Sequence, residues 1–242
     1  MIELRLPENA TLGRERELYN SIYDTQGIDH LDSFHLWLIE LLNARPDQSL
    51  LDVSCGQGRL VQLARQRGIN AFGTDFSESA TIIASYKAQQ NIFSVSDAHL
   101  LSFPNDKFDF ITNIGSIEHY LDPATGIQEM GRVLKPQGVA CILVPNTFSL
   151  FGNVKYAAQT GDIYQGFQPI ERYDTLNGWR KLLVDNGLVP FDVVKFEIVR
   201  PRTKQDLRWF LSHPPKIVRY IAMHFVPLAL ANSFVYLCHP AK

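Results

Sequence analysis

The sequence predicts an α/β fold, a doubly wound and mostly parallel sheet with helices on both faces, and three observations carry that reading. Strand-like apolar runs alternate along the chain with helical periodicities instead of gathering in blocks. The stretch Leu50-Leu51-Asp52-Val53-Ser54-Cys55-Gly56-Gln57-Gly58 joins one such run to a glycine-bearing loop and then to a helix. Residues able to carry chemistry stand just after the strand-like runs, at the carboxyl ends where open parallel sheets bind ligands.

Each element has its own signal. Ser33 can cap a helix in which Phe34, Trp37, Leu38, Leu41 and Leu42 keep helical spacing until Pro46. Leu50, Leu51 and Val53 suit a strand buried on both faces. Arg59 to Arg67 spaces Leu60, Val61, Leu63 and Ala64 as a helix, which Gly68 ends. Ala71 to Asp75 is a second strand. Ser77 can cap the next helix, with Glu78 near its positive end and Ala80, Ile83 and Tyr86 along one face. Asp122-Pro123 starts a helix whose buried stripe is Ile127, Met130, Val133 and Leu134. A later helix from about Asp174 turns Leu176, Trp179, Leu182 and Leu183 inward and closes at Asn186-Gly187. Strands follow near Phe191 to Val199 and Ser233 to Cys238.

The loop after the first of these strands is where a cofactor is expected. Gly56 and Gly58 remove two Cβ atoms where the backbone turns sharply and must approach a ligand. Asp75 ends the next strand about 20 residues later, the spacing at which a carboxylate can accept hydrogen bonds from a ribose diol. A dinucleotide fingerprint wants a third glycine where this chain has Val61, and Asp52 is foreign to it, so a nicotinamide cofactor is disfavoured.

In these residues the chain resembles the class I S-adenosylmethionine-dependent methyltransferases, of the methyltransferase type 11 or ubiquinone-biosynthesis-like group. Leu50 to Gly58 matches the family's apolar-apolar-Asp-x-Gly-x-Gly-x-Gly motif except at its first glycine, here Ser54. Val95-Ser96-Asp97-Ala98, Phe108 to Asn113 with Glu118-His119 after it, and Arg132-Val133-Leu134-Lys135-Pro136-Gln137-Gly138 before a strand at Val139 to Val144 are similar to its later motifs, in order. The resemblance implies a Rossmann-like, seven-stranded sheet with an antiparallel last strand and a helical insertion before it. It implies S-adenosyl-L-methionine as cofactor, S-adenosyl-L-homocysteine as product, and no metal. The implied cofactor residues are Asp52, Ser54, Cys55, Gly56 and Gly58 in the first loop, Asp75 and Phe76 at the ribose, Asp97 and Ala98 at the adenine, and Asn113 and Ile114 after the fourth strand. Tyr23, in an N-terminal cover with Tyr19 and Asp24, is expected to touch the methionine end or close the cleft.

Methyl transfer to a protonated nucleophile needs a base, and His119 is the candidate, since imidazole titrates near neutrality. A histidine there can equally hydrogen-bond backbone or cofactor. Tyr120, Asp162, Tyr164 and Tyr173 are candidates for the substrate pocket. The acceptor is expected to be a small molecule, a glycan or a lipid-linked compound, methylated at oxygen. A catalytically inactive sensor or partner subunit that binds S-adenosylmethionine or its product is the alternative.

Composition sets outer bounds. The 242 residues are 45% hydrophobic and 20% charged, as in a soluble single domain. Its expected parts are a helical cover over 1–45, a cofactor-binding core over 46–146, a substrate-side half over 147–200, a helical insertion over 201–232 and a last strand over 233–242. A net charge of −2 disfavours a nucleic-acid partner. Cys55, Cys141 and Cys238 lack metal-ligand spacing and read as free thiols in a reducing compartment. With no signal-peptide pattern at Met1 to Arg5, a cytoplasmic location is expected. The 201–232 segment alternates apolar residues with basic ones and is interrupted by prolines. It is expected to be a substrate lid, a homodimer surface or a peripheral membrane contact.

Overall fold

The computed structural model describes residues 1–5, 12–25, 27, 28 and 30–241. In chain order its elements are β1 (Ile2–Arg5), α1 (Leu12–Thr25), α2 (Asp32–Leu41), β2 (Ser49–Val53), α3 (Arg59–Gln66), β3 (Asn70–Asp75), α4 (Glu78–Ala88), β4 (Phe93–Val95), β5 (Phe108–Ile114), α5 (Pro123–Val133), β6 (Leu134–Pro145), α6 (Lys155–Thr160), β7 (Ile170–Tyr173), α7 (Leu176–Asp185), β8 (Leu188–Phe196), α8 (Lys204–Ser212), α9 (Pro214–Ala222) and β9 (Ser233–Pro240).

A seven-stranded sheet in the order β4-β3-β2-β5-β6-β9-β8 organises the chain. Strands β4 to β6 run parallel, and β9 is antiparallel to both neighbours, as expected of the last strand. Side chains alternate across the pleat: Leu50, Phe110 and Cys141 pack on one face, and Leu51, Ile111 and Ile142 on the other. Helices α2 and α3 cover the first face with Phe34, Leu38, Leu60 and Ala64, while α5 and α7 cover the second with Ile127, Met130, Trp179 and Leu183. Burial on both faces is why these strands read as continuous apolar runs.

Several local signals hold. Ser77 accepts the Ala80 N–H, and Asp122 accepts from Ala124 and Thr125, each at a helix start. Others are corrected. Ser33 does not cap α2, whose cap position is Leu31; its hydroxyl and N–H are donated instead to the buried Asp206. Tyr86 is 77% exposed, because Ala80, Thr81 and Ala84 form the buried face of α4. The expected turn at Lys135 to Gly138 is absorbed into β6 as a bulge, where the register jumps between Phe108↔Leu134 and Phe110↔Val139. The strand expected at Phe191 to Val199 starts earlier, at Leu188, and ends at Phe196. A small antiparallel sheet of β1 and β7, without any sequence signal, is anchored by the buried Arg172, which pairs with Glu3 and donates to the carbonyls of Glu118 and Tyr120.

Candidate functional site

Beyond Val53, β2 runs into a loop in which Ser54, Gly56 and Gly58 all take left-handed backbone, with φ of 62°, 51° and 73°. A Cβ on Gly56 would stand 2.8 Å from the Tyr23 hydroxyl, and one on Gly58 2.4 Å from the Phe93 ring, so both glycines are required by space as well as by φ. Ser54 has no such freedom, and a left-handed L residue costs about 1–2 kcal/mol. Its hydroxyl hydrogen-bonds the Tyr120 hydroxyl at 2.7 Å, which offsets about 0.5–1.5 kcal/mol of that.

Two buried carboxyls flank the loop, and one of them holds it. Asp75, at the end of β3, accepts the Gly56 N–H at 2.7 Å on one oxygen and the Ser77 N–H at 2.8 Å on the other. Burial nonetheless pushes its pKa up to about 6. Asp52 accepts the Thr112 hydroxyl at 2.6 Å, and burial pushes it up to about 7.

These residues form the floor of a cleft that holds about 1050 Å³ with the open solvent at its mouth included. Of the expected cofactor residues, Tyr23, Asp52, Ser54, Cys55, Gly56, Asp75, Phe76, Asp97, Ala98 and Ile114 line it, together with His119 and Tyr120. Gly58 and Asn113 do not. Gly58 serves the turn below. Asn113 is fully buried and spends its amide on Val53 O, the Tyr120 hydroxyl and the Ile117 N–H. Asp97 holds the His99 ring and N–H through one oxygen, leaving the other for a ligand.

The roof comes from α1, where Glu15, Tyr19 and Tyr23, four residues apart, share one helix face. That spacing was available in the sequence for Glu15. Gln168 and His35, also wall residues, have no comparable signal. His35 is pushed down to about 3 by burial, and its Nδ1 is buried without a hydrogen-bond partner among the described residues. Among the described wall residues there is no lysine or arginine, while Glu15, Asp52, Asp75 and Asp97 supply four carboxyls. A ligand bearing positive charge fits such a wall, and a polar one satisfies the His35 orphan. S-adenosylmethionine, a sulfonium with a ribose and an amino acid end, meets both conditions.

His119 stands where this cleft meets a second cavity. Its Nδ1 lies against the Ile170 carbonyl at 2.5 Å, and since a carbonyl can only accept, Nδ1 carries the proton and Nε2 the lone pair. Nε2 accepts from the Gln168 amide at 2.9 Å, and the Tyr19 hydroxyl donates to the other end of Gln168 at 3.1 Å. Burial holds the His119 pKa below the ordinary histidine value. Glu118 beside it is pushed up to about 8 by burial.

The second cavity, about 530 Å³, shares His119 and Gln168 with the cleft and adds Glu118, Tyr164 and Tyr173. A third, about 820 Å³, shares Pro145, Tyr164 and Tyr173 with the second and reaches Phe151 and Tyr156. Tyr164 and Tyr173 thus line the second and third cavities and lie outside the first cleft. Asp162 joins none of the three cavities; it is exposed and accepts the Ile163 N–H.

The model of a methyltransferase-domain family matches residues 28–212, more than half of the chain. The chain belongs to this methyltransferase family. Its first-loop motif and sheet are those of the class I, S-adenosylmethionine-dependent type. Among curated relatives, the 2-phytyl-1,4-naphtoquinone methyltransferase of Trichormus variabilis is 30% identical over 143 residues, 55% of this chain and 62% of the relative. The ubiquinone biosynthesis O-methyltransferase of Bartonella tribocorum is 31% identical over 101 residues, 40% of this chain and 41% of the relative. The chain therefore spans less than two thirds of each relative's length. Among solved structures, the [4+2]-cyclase SpnF superposes with a TM-score of 0.67 at 19% identity, covering 99% of this chain and all of that one. The Haemonchus contortus phosphoethanolamine N-methyltransferase 2, solved with S-adenosylhomocysteine, gives 0.58 at 17% identity, covering 86% of this chain and 52% of that one. At such identities the likeness is one of fold, and a cyclase among the neighbours leaves the reaction to be argued from the site.

Proposed function

We propose that this chain transfers a methyl group from S-adenosylmethionine to an oxygen of a small-molecule acceptor. The observation that carries this is the cleft itself: a loop with three left-handed residues, four carboxyls and no described lysine or arginine in the wall, adjoining a separate cavity at His119 and Gln168. When bound, S-adenosylmethionine supplies a methyl group already made electrophilic by its sulfonium, and S-adenosylhomocysteine is the product.

Asp75 and Asp97 would hold the nucleoside, Asp52 would offer negative charge to the cationic ligand, and Tyr19 and Tyr23 of α1 would close the cleft to water. Holding acceptor and methyl in line supplies about 7–11 kcal/mol of barrier lowering. His119 Nε2, unprotonated at neutral pH, takes the proton of the acceptor hydroxyl once Gln168 turns its amide aside. Relatives named for quinone substrates support an acceptor with a hydroxylated ring and an apolar tail. The tail would run through the second and third cavities past Tyr164 and Tyr173.

Calorimetry with S-adenosylmethionine, S-adenosylhomocysteine and NAD tests the cofactor; absence of binding to either sulfur nucleoside overturns the proposal. Transfer of labelled methyl from S-adenosylmethionine into a cell extract tests the reaction. In that assay His119→Ala is expected to lower turnover about 10²–10⁴-fold with cofactor affinity unchanged. Near-full turnover at neutral pH would remove the base role.

A further inference from the structure

The exposed face of α8 and α9 carries a run of large apolar side chains. On α9 and the turn after it, Val218, Ile221 and Phe225 follow one another at three and four residues and are 67%, 60% and 84% exposed. On α8, Leu207 and Leu211 continue the stripe, with Leu211 at 64%. Nothing in the described chain covers these side chains, and α9 contributes no buried residue. A helix that points its apolar residues outward has the pattern of one that lies in an interface.

Charge says which interface. Residues 201–232 hold five of the 23 basic residues and one of the 25 acidic ones, a segment charge of +4 in a chain of net −2. The one acid, Asp206, is buried against Ser33 and spent there. Arg202 and Arg219 pair with Glu40 and Glu197, which leaves Lys204, Arg208 and Lys216 beside the stripe without an ion pair among the described residues. Lys216 lies 6.0 Å from the Trp209 ring. A second copy of this chain fits poorly, because a two-fold contact would lay the same positive segment on itself.

The patch also borders the series of cavities. Arg219 sits over the Phe151 ring at 5.8 Å, and Phe151 lines the third cavity, whose rim adds Tyr156. Val154 and Lys155 next to them are exposed. From this rim the shared walls lead through Tyr164 and Tyr173 to His119 and the cofactor cleft. We infer that the α8–α9 face docks on an anionic lipid bilayer, with Val218, Ile221 and Phe225 in the acyl boundary and Lys204, Arg208 and Lys216 at the phosphates. Among the described residues no helix is long and apolar enough to cross a membrane, so the contact is peripheral. Docking stands on the surface alone; delivery of an amphiphilic acceptor from the bilayer into the third cavity rests on the methyltransferase proposal.

The test is sedimentation of the full chain with vesicles of phosphatidylcholine and phosphatidylglycerol, beside vesicles of phosphatidylcholine alone, at low and high salt. The protein is expected to pellet with the anionic vesicles and to be released as salt rises. Val218→Glu with Ile221→Glu should abolish pelleting while the thermal midpoint stays put. Arg208→Glu and Lys216→Glu should each weaken it by about fivefold or more. The basic variants decide the matter if the apolar pair fails to fold. Protein that stays in the supernatant, or pellets equally on neutral vesicles, overturns the inference. So does a dimer in sedimentation velocity that Val218→Glu dissolves. Calorimetry with S-adenosylmethionine on the same samples keeps the two proposals apart, since cofactor binding does not depend on the bilayer.

Discussion

The loop from Val53 to Gly58 and the segments that carry the acceptor-side cavities are built on opposite terms. In the loop, backbone N–H groups are committed to Thr74 O and Asp75, two glycines are fixed by space and φ, and a serine is held in a left-handed turn by a hydroxyl bond to Tyr120. Around residues 148–167 and 201–232, helices are six to nine residues long and large apolar side chains face outward. On one side the loop's backbone is fixed by buried hydrogen bonds and by lack of space. The other is shaped by short, shallowly packed pieces whose surface can change without disturbing the sheet. The difference is one of construction: a loop held by its backbone on one side, and a surface carried by exposed side chains on the other.

The contrast can be broken most severely at Asp75. Asp75→Asn keeps one acceptor atom where two N–H groups need acceptors, and S-adenosylmethionine affinity by calorimetry is expected to fall about hundredfold. A loss below about threefold would mean that the loop is not organised by this carboxyl. Next comes pH. A cationic ligand beside Asp52 and Asp75 favours their ionised forms, so binding releases protons, and affinity should rise about tenfold between pH 6 and pH 8. Calorimetry in buffers of different ionisation enthalpy reads that release; proton uptake would reverse the sign and refute the electrostatic account. In the free protein these raised carboxyls, with Glu118, act the other way. The folded state holds protons that the unfolded chain has lost, so stability declines as pH climbs from the carboxylate range toward about 8.

Smaller effects sharpen the comparison. Ser54→Ala keeps the left-handed strain and loses the Tyr120 bond, at a cost of about 1 kcal/mol in thermal unfolding, whereas Ser54→Gly loses both strain and bond and should stay within about 0.5 kcal/mol of the wild type. Equal losses from the two would show that backbone strain is not stored at this position. Smallest of all, Val218→Glu with Ile221→Glu is expected to leave stability within about 0.5 kcal/mol and cofactor affinity unchanged, as for exposed positions away from the site.

The cofactor side was also the legible side. Buried parallel strands print as apolar runs and glycine turns as glycines, so β2, β3, β5 and the loop between β2 and α3 stand where the sequence places them. Ser54 was visible as a departure, but its left-handed φ and its bond to Tyr120, 66 residues away, are encoded by no local pattern. Asn113 reads as a ligand contact at a strand end, yet its amide is consumed by backbone and by Tyr120. Ser33 reads as a cap and is taken by Asp206, 173 residues on. Gln168 and the β1–β7 pair escaped altogether, because irregular polar segments and four-residue strands carry almost no periodicity.

Gln168 joins the two sides through its two ends. Its oxygen accepts from Tyr19 on the cover helix, and its nitrogen donates to His119 on the acceptor wall. The Tyr19 and His119 contacts thus share one side chain, so Gln168 cannot turn away from one without moving the end that meets the other. Because the same amide occupies the His119 Nε2 lone pair, exposing that lone pair and loosening the tie to α1 are one side-chain movement, and the cover helix and the imidazole are mechanically joined.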